Sequence, residues 1–144
     1  MARYIHTIDA KGRVIVPARV RNNLDGTLYV APSLDAGYLS AYNSQQFQAI
    51  LDQLRDLSGT DQDVRAFRRS FLGSAIACEL DSQGRILVNE ELWSSIGVAA
   101  GEEICFIDMF DKVEICSKAF YDASLEEEPK LSDLDLSRFD VKGL

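Results

Sequence analysis

Histidine is almost absent from this chain: His6 is the single example in 144 residues. No nucleophile motif, glycine-rich phosphate loop or cluster of ligands at metal spacing accompanies it. Acid–base, phosphoryl-transfer and metal chemistry each need several such groups at fixed spacing. The chain is therefore expected not to be an enzyme, with no cofactor, no metal and no small-molecule substrate, and His6 reads as an ordinary strand residue. Cysteine is also scarce. Cys78, Cys105 and Cys116 are odd in number and lack C-x-x-C spacing, and two of them sit in strand-like runs. That pattern reads as reduced core thiols. No leader-like segment begins the sequence, and no apolar run reaches the roughly 18 residues a membrane helix needs. A cytoplasmic location and no membrane partner are expected.

Acidic residues dominate the total but not the distribution. The net charge is −8. Residues 1–24 nevertheless carry Arg3, Lys11, Arg13, Arg19 and Arg21 against Asp9 alone. Residues 81–144 carry six basic and fifteen acidic residues. Such a chain has one end fit for an anionic partner and one end that repels it.

A ten-residue pattern occurs twice. Thr-Ile-Asp-Ala-Lys-Gly-Arg-Val-Ile-Val covers 7–16, and Glu-Leu-Asp-Ser-Gln-Gly-Arg-Ile-Leu-Val covers 79–88, an offset of 72 residues. The likeness continues through 28–30 with 104–107, 38–42 with 112–116 and 44–47 with 117–120. Two copies of a unit this small cannot each bury a core, so they should share one. The expected organisation is a first module at 5–47, a helical connector at 48–75, a second module at 76–119 and an acidic tail at 120–144.

Within each copy Asp and Gly carry turn chemistry. Asp favours the first position of a turn, where its carboxylate accepts backbone N–H groups, and Gly favours the position that takes positive φ. Strands over 3–8 and 13–16 would then form a hairpin closed by Asp9 and Gly12. Asp81 and Gly84 repeat that turn. A short helix at 18–23 and strands at 28–31 and 38–42 complete the first copy. Ser44 reads as the cap of a connector helix carrying Phe47, Ile50, Leu51, Leu54 and Leu57 at helical spacing. Thr60 or Asp61 caps a second helix with Val64, Phe67, Phe71 and Leu72 on one face. Trp93 and Phe120 read as core anchors. The tail reads as mostly mobile.

The two Asp-x-x-Gly-Arg segments, with Pro17 after the first and Phe67-Arg68-Arg69-Ser70-Phe71-Leu72-Gly73-Ser74-Ala75 before the second, resemble the SpoVT/AbrB modules of bacterial DNA-binding proteins. Two modules and a helical connector in one chain resemble the MraZ family. The resemblance covers about residues 3–121. It implies an α+β, β-rich fold with two pseudo-symmetric swapped-hairpin modules forming one β-barrel-like core. It also implies a ring-like homo-oligomer and a transcriptional regulator, of repressor type, of the division and cell-wall gene cluster. Its implied partner is double-stranded DNA at direct repeats upstream of its own operon, which would make it nucleoid-associated. The second copy departs at Asn89 for Pro17, Gln83 for Lys11, and Glu90, Glu91 and Trp93 for Ala18, Arg19 and Arg21.

Cations against phosphates supply most non-specific DNA affinity, and a two-stranded β-ribbon fits the major groove. Arg13 is the expected main DNA residue, since its fork can bond a guanine edge or a phosphate. Lys11 would act at the turn tip, with Arg3, Arg19 and Arg21 on phosphates. An Asp9–Arg13 pair bracing the turn is the competing reading. For Arg85, in an acidic setting, bracing by Asp81 is preferred. Arg65, Arg68 and Arg69 read as a solvated helix face pairing with Asp61 and Asp63, ahead of a second basic patch or a subunit contact. The rival functions are an AbrB-type antitoxin, using the acidic tail on a toxin, and an assembly scaffold without DNA.

Overall fold

The computed structural model describes residues 3–143. Both Asp-x-x-Gly-Arg segments form the same turn. The Asp9 amide donates to the Arg13 carbonyl (2.8 Å) and the Gly12 amide to the Asp9 carbonyl (3.1 Å), with equivalents at Asp81–Arg85 (2.9 Å) and Gly84–Asp81 (3.1 Å). Gly12 and Gly84 take φ of +86° and +76°, the left-handed region that glycine enters freely.

The strands flanking each turn are not hairpin partners. β1 (Arg3–Thr7) pairs antiparallel with β7 (Glu103–Asp108), from Arg3 opposite Ile107 to Thr7 opposite Glu103. β2 (Arg13–Ile15) pairs with β6 (Arg85–Leu87), Arg13 opposite Leu87 and Ile15 opposite Arg85. The hairpin expected between 3–8 and 13–16 is thus corrected: both strands find their ladders in the other half. The reason lies in burial. Ile8, Val14 and Val16 are all almost fully buried, so the chain turns over the core rather than back along its own edge.

The remaining strands are β3 (Thr27–Pro32), β4 (Leu39–Tyr42), β5 (Ile76–Glu79) and β8 (Val113–Ser117). The larger sheet runs β1-β7-β8-β4-β3-β5, and β2-β6 forms a separate ribbon. Exchanging the two halves leaves that order unchanged. The ribbon continues from the two edge strands, β1 and β5, through the two turns. Its inward residues Val14 and Ile86 join Leu28, Val30, Leu39, Ile104, Phe106 and Ile115 in one cluster drawn from both copies. Fully burying each such side chain contributes about 1.5–3 kcal/mol, so the shared core answers the small size of each copy.

Short helices α1 (Ala18–Arg21) and α4 (Glu90–Ser95) follow the ribbon strands. The connector forms α2 (Ser44–Arg55) and α3 (Gln62–Leu72). These pack Phe47, Leu54 and Phe71 on Tyr42 and Tyr29, the Tyr29 and Phe47 rings stacking at 4.6 Å. The α2 cap is Asn43 rather than Ser44: Asn43 accepts from the Gln46 amide, and Gln46 accepts from the Asn43 amide. Asp61 caps α3 as one of the two expected candidates. Leu57 lies beyond α2 and is exposed. The chain after β8 is more ordered than its composition suggests. α5 (Lys118–Glu127) is capped by Ser117, and a 3-10 turn covers Leu131–Asp133. Trp93 is buried as expected, but Phe120 is 38% exposed and meets Tyr38 edge-on.

Candidate nucleic-acid interface

The ribbon's outer face follows from period-two alternation. Val14 and Ile86 point inward, so Arg13, Ile15, Arg85 and Leu87 point outward, each arginine opposite an aliphatic residue. Ile15 and Leu87 are 44% and 57% exposed, high for aliphatic side chains.

Each turn fixes its own arginine. Asp9 Oδ1 accepts from the Lys11 and Arg13 amides (2.9 and 2.8 Å), while Oδ2 accepts from Arg13 Nε at 2.7 Å. Asp81 does the same for the Gln83 and Arg85 amides and Arg85 Nε. Binding through Nε leaves the Nη groups of Arg13 unbonded among the described residues. Bracing and outward display are therefore compatible in one side chain. Burial opposes the Asp9 charge, but the Arg13 amide and guanidinium and the Lys11 amide outweigh it and hold the carboxyl below its usual range. Asp81 is lowered chiefly by the Arg85 amide.

The two turns lie side by side. Arg85 Nη1 is 3.9 Å from Asp9 Oδ2. The Val16 amide donates to the Gly84 carbonyl (2.9 Å) and the Val88 amide to Gly12 (3.4 Å). Arg21 lies over Gly84, where a Cβ would come within 2.3 Å of its Nη1. At the matching place in the other half, Trp93 Nε1 donates to the Gly12 carbonyl at 2.9 Å. Each copy's short helix thus covers the other copy's turn, once with an arginine and once with the indole. Sequence reasoning placed Trp93 in the core but missed this second task, although its alignment with Arg21 was the available signal. Ile15 and Leu87 were missed as well, and the strand alternation was their signal.

Not every expected residue reaches this face. Lys11, Arg13 and Arg21 gather around the ribbon, together with Arg85. Arg3 lies at the far end of β1, bonded to the Tyr121 hydroxyl and over its ring. Arg19 turns toward a cleft of about 270 Å³ shared with Asn23, Asp108 and Lys112. Asp9, Gly12, Asp81, Gly84 and Arg85 sit in the turns themselves. On the connector, Arg65 donates to the Gly59 and Thr60 carbonyls and Arg68 to those of Leu54 and Leu57. The expected pairing with Asp61 and Asp63 is thereby corrected: the C-terminal end of α2 and the loop before α3 present backbone acceptors at closer reach.

Reactive chemistry finds little support at these groups. Burial pushes the Cys78 and Cys116 thiols up to about 12. Burial, then Arg21, lowers the His6 imidazole below its ordinary value, favouring the neutral ring. All three cysteines are free and buried. Among the described residues no helix is long and apolar enough to cross a membrane, and no cluster of metal ligands occurs.

Known proteins resemble this chain in sequence. The family described as "MraZ protein, putative antitoxin-like" matches residues 1–70. A protein of Thermoanaerobacter sp. (strain X514) named "Transcriptional regulator MraZ" is 38% identical, covering 94% of this chain and 99% of its own length. Its namesake from Thermoanaerobacter pseudethanolicus is 39% identical over 85% of this chain and 83% of its own. One from Pediococcus pentosaceus is 31% identical over 88% and 87%. With relatives 31–39% identical over 85–94% of its length, the chain belongs to the MraZ family of transcriptional regulators.

Proposed function

We propose that the β2–β6 ribbon and its two turns form a sequence-specific reader of double-stranded DNA. In this reading the chain regulates transcription, as a repressor, by binding direct repeats upstream of its own operon. One observation carries the proposal. Lys11, Arg13, Arg21 and Arg85 converge around one ribbon of an otherwise acidic protein, where Asp9 and Asp81 are consumed by the turns and Glu90 lies beside Lys11. A two-stranded ribbon has the width of the major groove, and arginine is the commonest reader of guanine there. Arg13 contributes Nη groups at a fixed angle, because Asp9 holds Nε. Lys11 and Arg21 supply phosphate contacts. Arg85 shares the same face, which argues for both turns taking part. Arg3 and Arg19 lie off the ribbon and fit at most peripheral phosphate contacts.

About four cations give one chain modest affinity. Copies joined in a ring would meet tandem repeats together and gain avidity without new contacts. The acidic tail would face away from DNA, while β6 and Arg85 of the second half stay with the ribbon. A cytoplasmic, nucleoid-associated location follows from the same reading.

The test is binding to DNA upstream of the chain's own gene, against a scrambled duplex, at two salt concentrations. Tight, salt-sensitive binding to the upstream fragment alone is expected. Arg13→Ala should lower that affinity by at least about 1–3 kcal/mol, the worth of one good bidentate contact, and leave the assembled mass unchanged. Wild-type affinity in Arg13→Ala overturns the site. Equal binding to both duplexes, or none, overturns the regulator reading in favour of a scaffold or an antitoxin.

A further inference from the structure

A cleft of about 670 Å³ opens between α5 and the β3–β4 and β7–β8 loops. Its lining includes Asp35, Glu114, Glu127 and Glu128 and no cation. Glu114 lies on β8, opposite Ser40 of β4, on the sheet face away from the core. It is 7% exposed, yet Oε2 has no hydrogen-bond partner, and neither has the Oγ of Ser40 beside it. Burial raises the Glu114 carboxyl, and Lys112 offsets this only from a distance, since no ion pair to Glu114 forms among the described residues. A buried carboxylate without a partner is costly, and natural structures supply one. Met109, 45% exposed, lines the cleft. The loop residues next to its lining in sequence extend that apolar rim: Leu34, 84% exposed, precedes Asp35, and Phe110, 81% exposed, follows Met109 and holds a φ of +75° rarely taken by aromatic residues. Exposed apolar residues around a charged cleft mark a protein interface.

The chain contains the complement. Arg65 and Arg68 are occupied by backbone carbonyls, whereas the Arg69 side chain makes no hydrogen bond or ion pair among the described residues. One turn onward stands Leu72, 37% exposed. Phe67 and Phe71 face inward on α3, so Arg69 and Leu72 face out.

We infer that the Glu114 cleft receives the outward face of α3 from a second copy, Arg69 entering toward Glu114 and Leu72 packing on the Leu34–Met109–Phe110 rim. The contact joins two different surfaces, so it propagates head to tail and closes into a ring when the rotation permits. It rests on the reading that the chain works as a homo-oligomer and names the residues that join it. Residues 61–75 of the connector then have a task in assembly separate from the ribbon.

Native mass spectrometry and light scattering without DNA, across protein concentration, test this. The wild type should assemble. Arg69→Glu and Glu114→Gln should each raise the concentration at which the assembly dissociates by at least about tenfold. The double variant Arg69→Gln/Glu114→Gln should lose no more than Arg69→Gln or Glu114→Gln alone, because both belong to one contact. Glu91→Gln, exposed on α4 and off this surface, should assemble as wild type does. Thermal melts of Glu114→Gln and wild type, both below the concentration at which they assemble, should show the variant no less stable, since the change removes an unpartnered buried charge. If the wild type assembles and Arg69→Glu or Glu114→Gln assembles equally well, the contact assignment is wrong while oligomerisation stands. A wild type that stays monomeric overturns both. A loss of assembly confined to Arg55→Glu moves the donor to α2 and refutes Arg69. DNA affinity of the dissociated variants, measured apart, bears on the ribbon alone.

Discussion

At the scale of single residues, the two turn aspartates are the most exacting positions. Asp9 and Asp81 each use both carboxylate oxygens, one on backbone amides and one on an arginine Nε. Both carboxyls are held below their ordinary value of 3.8. A lowered folded-state value means that their contribution is fully present above about pH 4 and is lost as pH falls through the folded value. The single tryptophan, Trp93, reports on this, since its Nε1 donates to Gly12 in the Asp9 turn. Its emission should be constant from pH 8 to about 5 and change reversibly below about 4. Asp9→Asn should show part of the same change at neutral pH. A transition centred above pH 5 would assign the effect to another group. The turn roles of Asp9, Gly12, Asp81 and Gly84 were legible in the sequence because turn chemistry is local. The crossing of Arg21 onto Gly84, and of Trp93 onto Gly12, was not, because it depends on which half lies beside which.

At the scale of elements, the helices show how far local signals reach. Asn43 and Gln46 form a reciprocal capping box at α2, while Ser44, the apparent cap, bonds Asp25 through its hydroxyl instead. Asn43→Ala should therefore destabilise the protein by about 1 kcal/mol, and Ser44→Ala by less than about 0.5 kcal/mol. Urea unfolding of both variants, read by their midpoints at a common slope, decides between them. Equal losses would mean that the box adds nothing beyond the Ser44 contact. Strand positions were read to within a residue or two, since alternation and turn residues set them. Strand partners were misread at β1 and β2 because a ladder between distant segments leaves no local mark. α5 escaped notice in the acidic stretch because its order derives from the Ser117 cap and from packing on β7 and β8, not from its own apolar pattern.

At the scale of the whole molecule, the exchange of strands makes the halves interdependent. Cutting the connector after residue 75 would deprive β1 of β7, β2 of β6 and β4 of β8, and would take β5 from β3. Val14 and Ile86, almost fully buried as cross-ribbon partners, would both meet water. A fragment of residues 1–75 should then show no cooperative thermal transition as a monomer. Residues 76–144, whose one remaining strand pairing is β7–β8, beside α4 and α5, should show none either. Mixing the two should restore a 1:1 complex with a cooperative melt. Two features favour that complex over pairing of like fragments: the first fragment carries the basic N-terminal segment and the second is acidic, and the Arg21 and Trp93 covers differ in shape. Circular dichroism of each fragment and of the mixture, with the mass from light scattering, is the measurement. A cooperative melt from monomeric 1–75 would mean that the first copy holds a core of its own and that the shared core is not what stabilises the fold. Failure of the mixture to recover structure would mean that the connector, by raising the effective concentration of the two halves, is as necessary as the interface it joins.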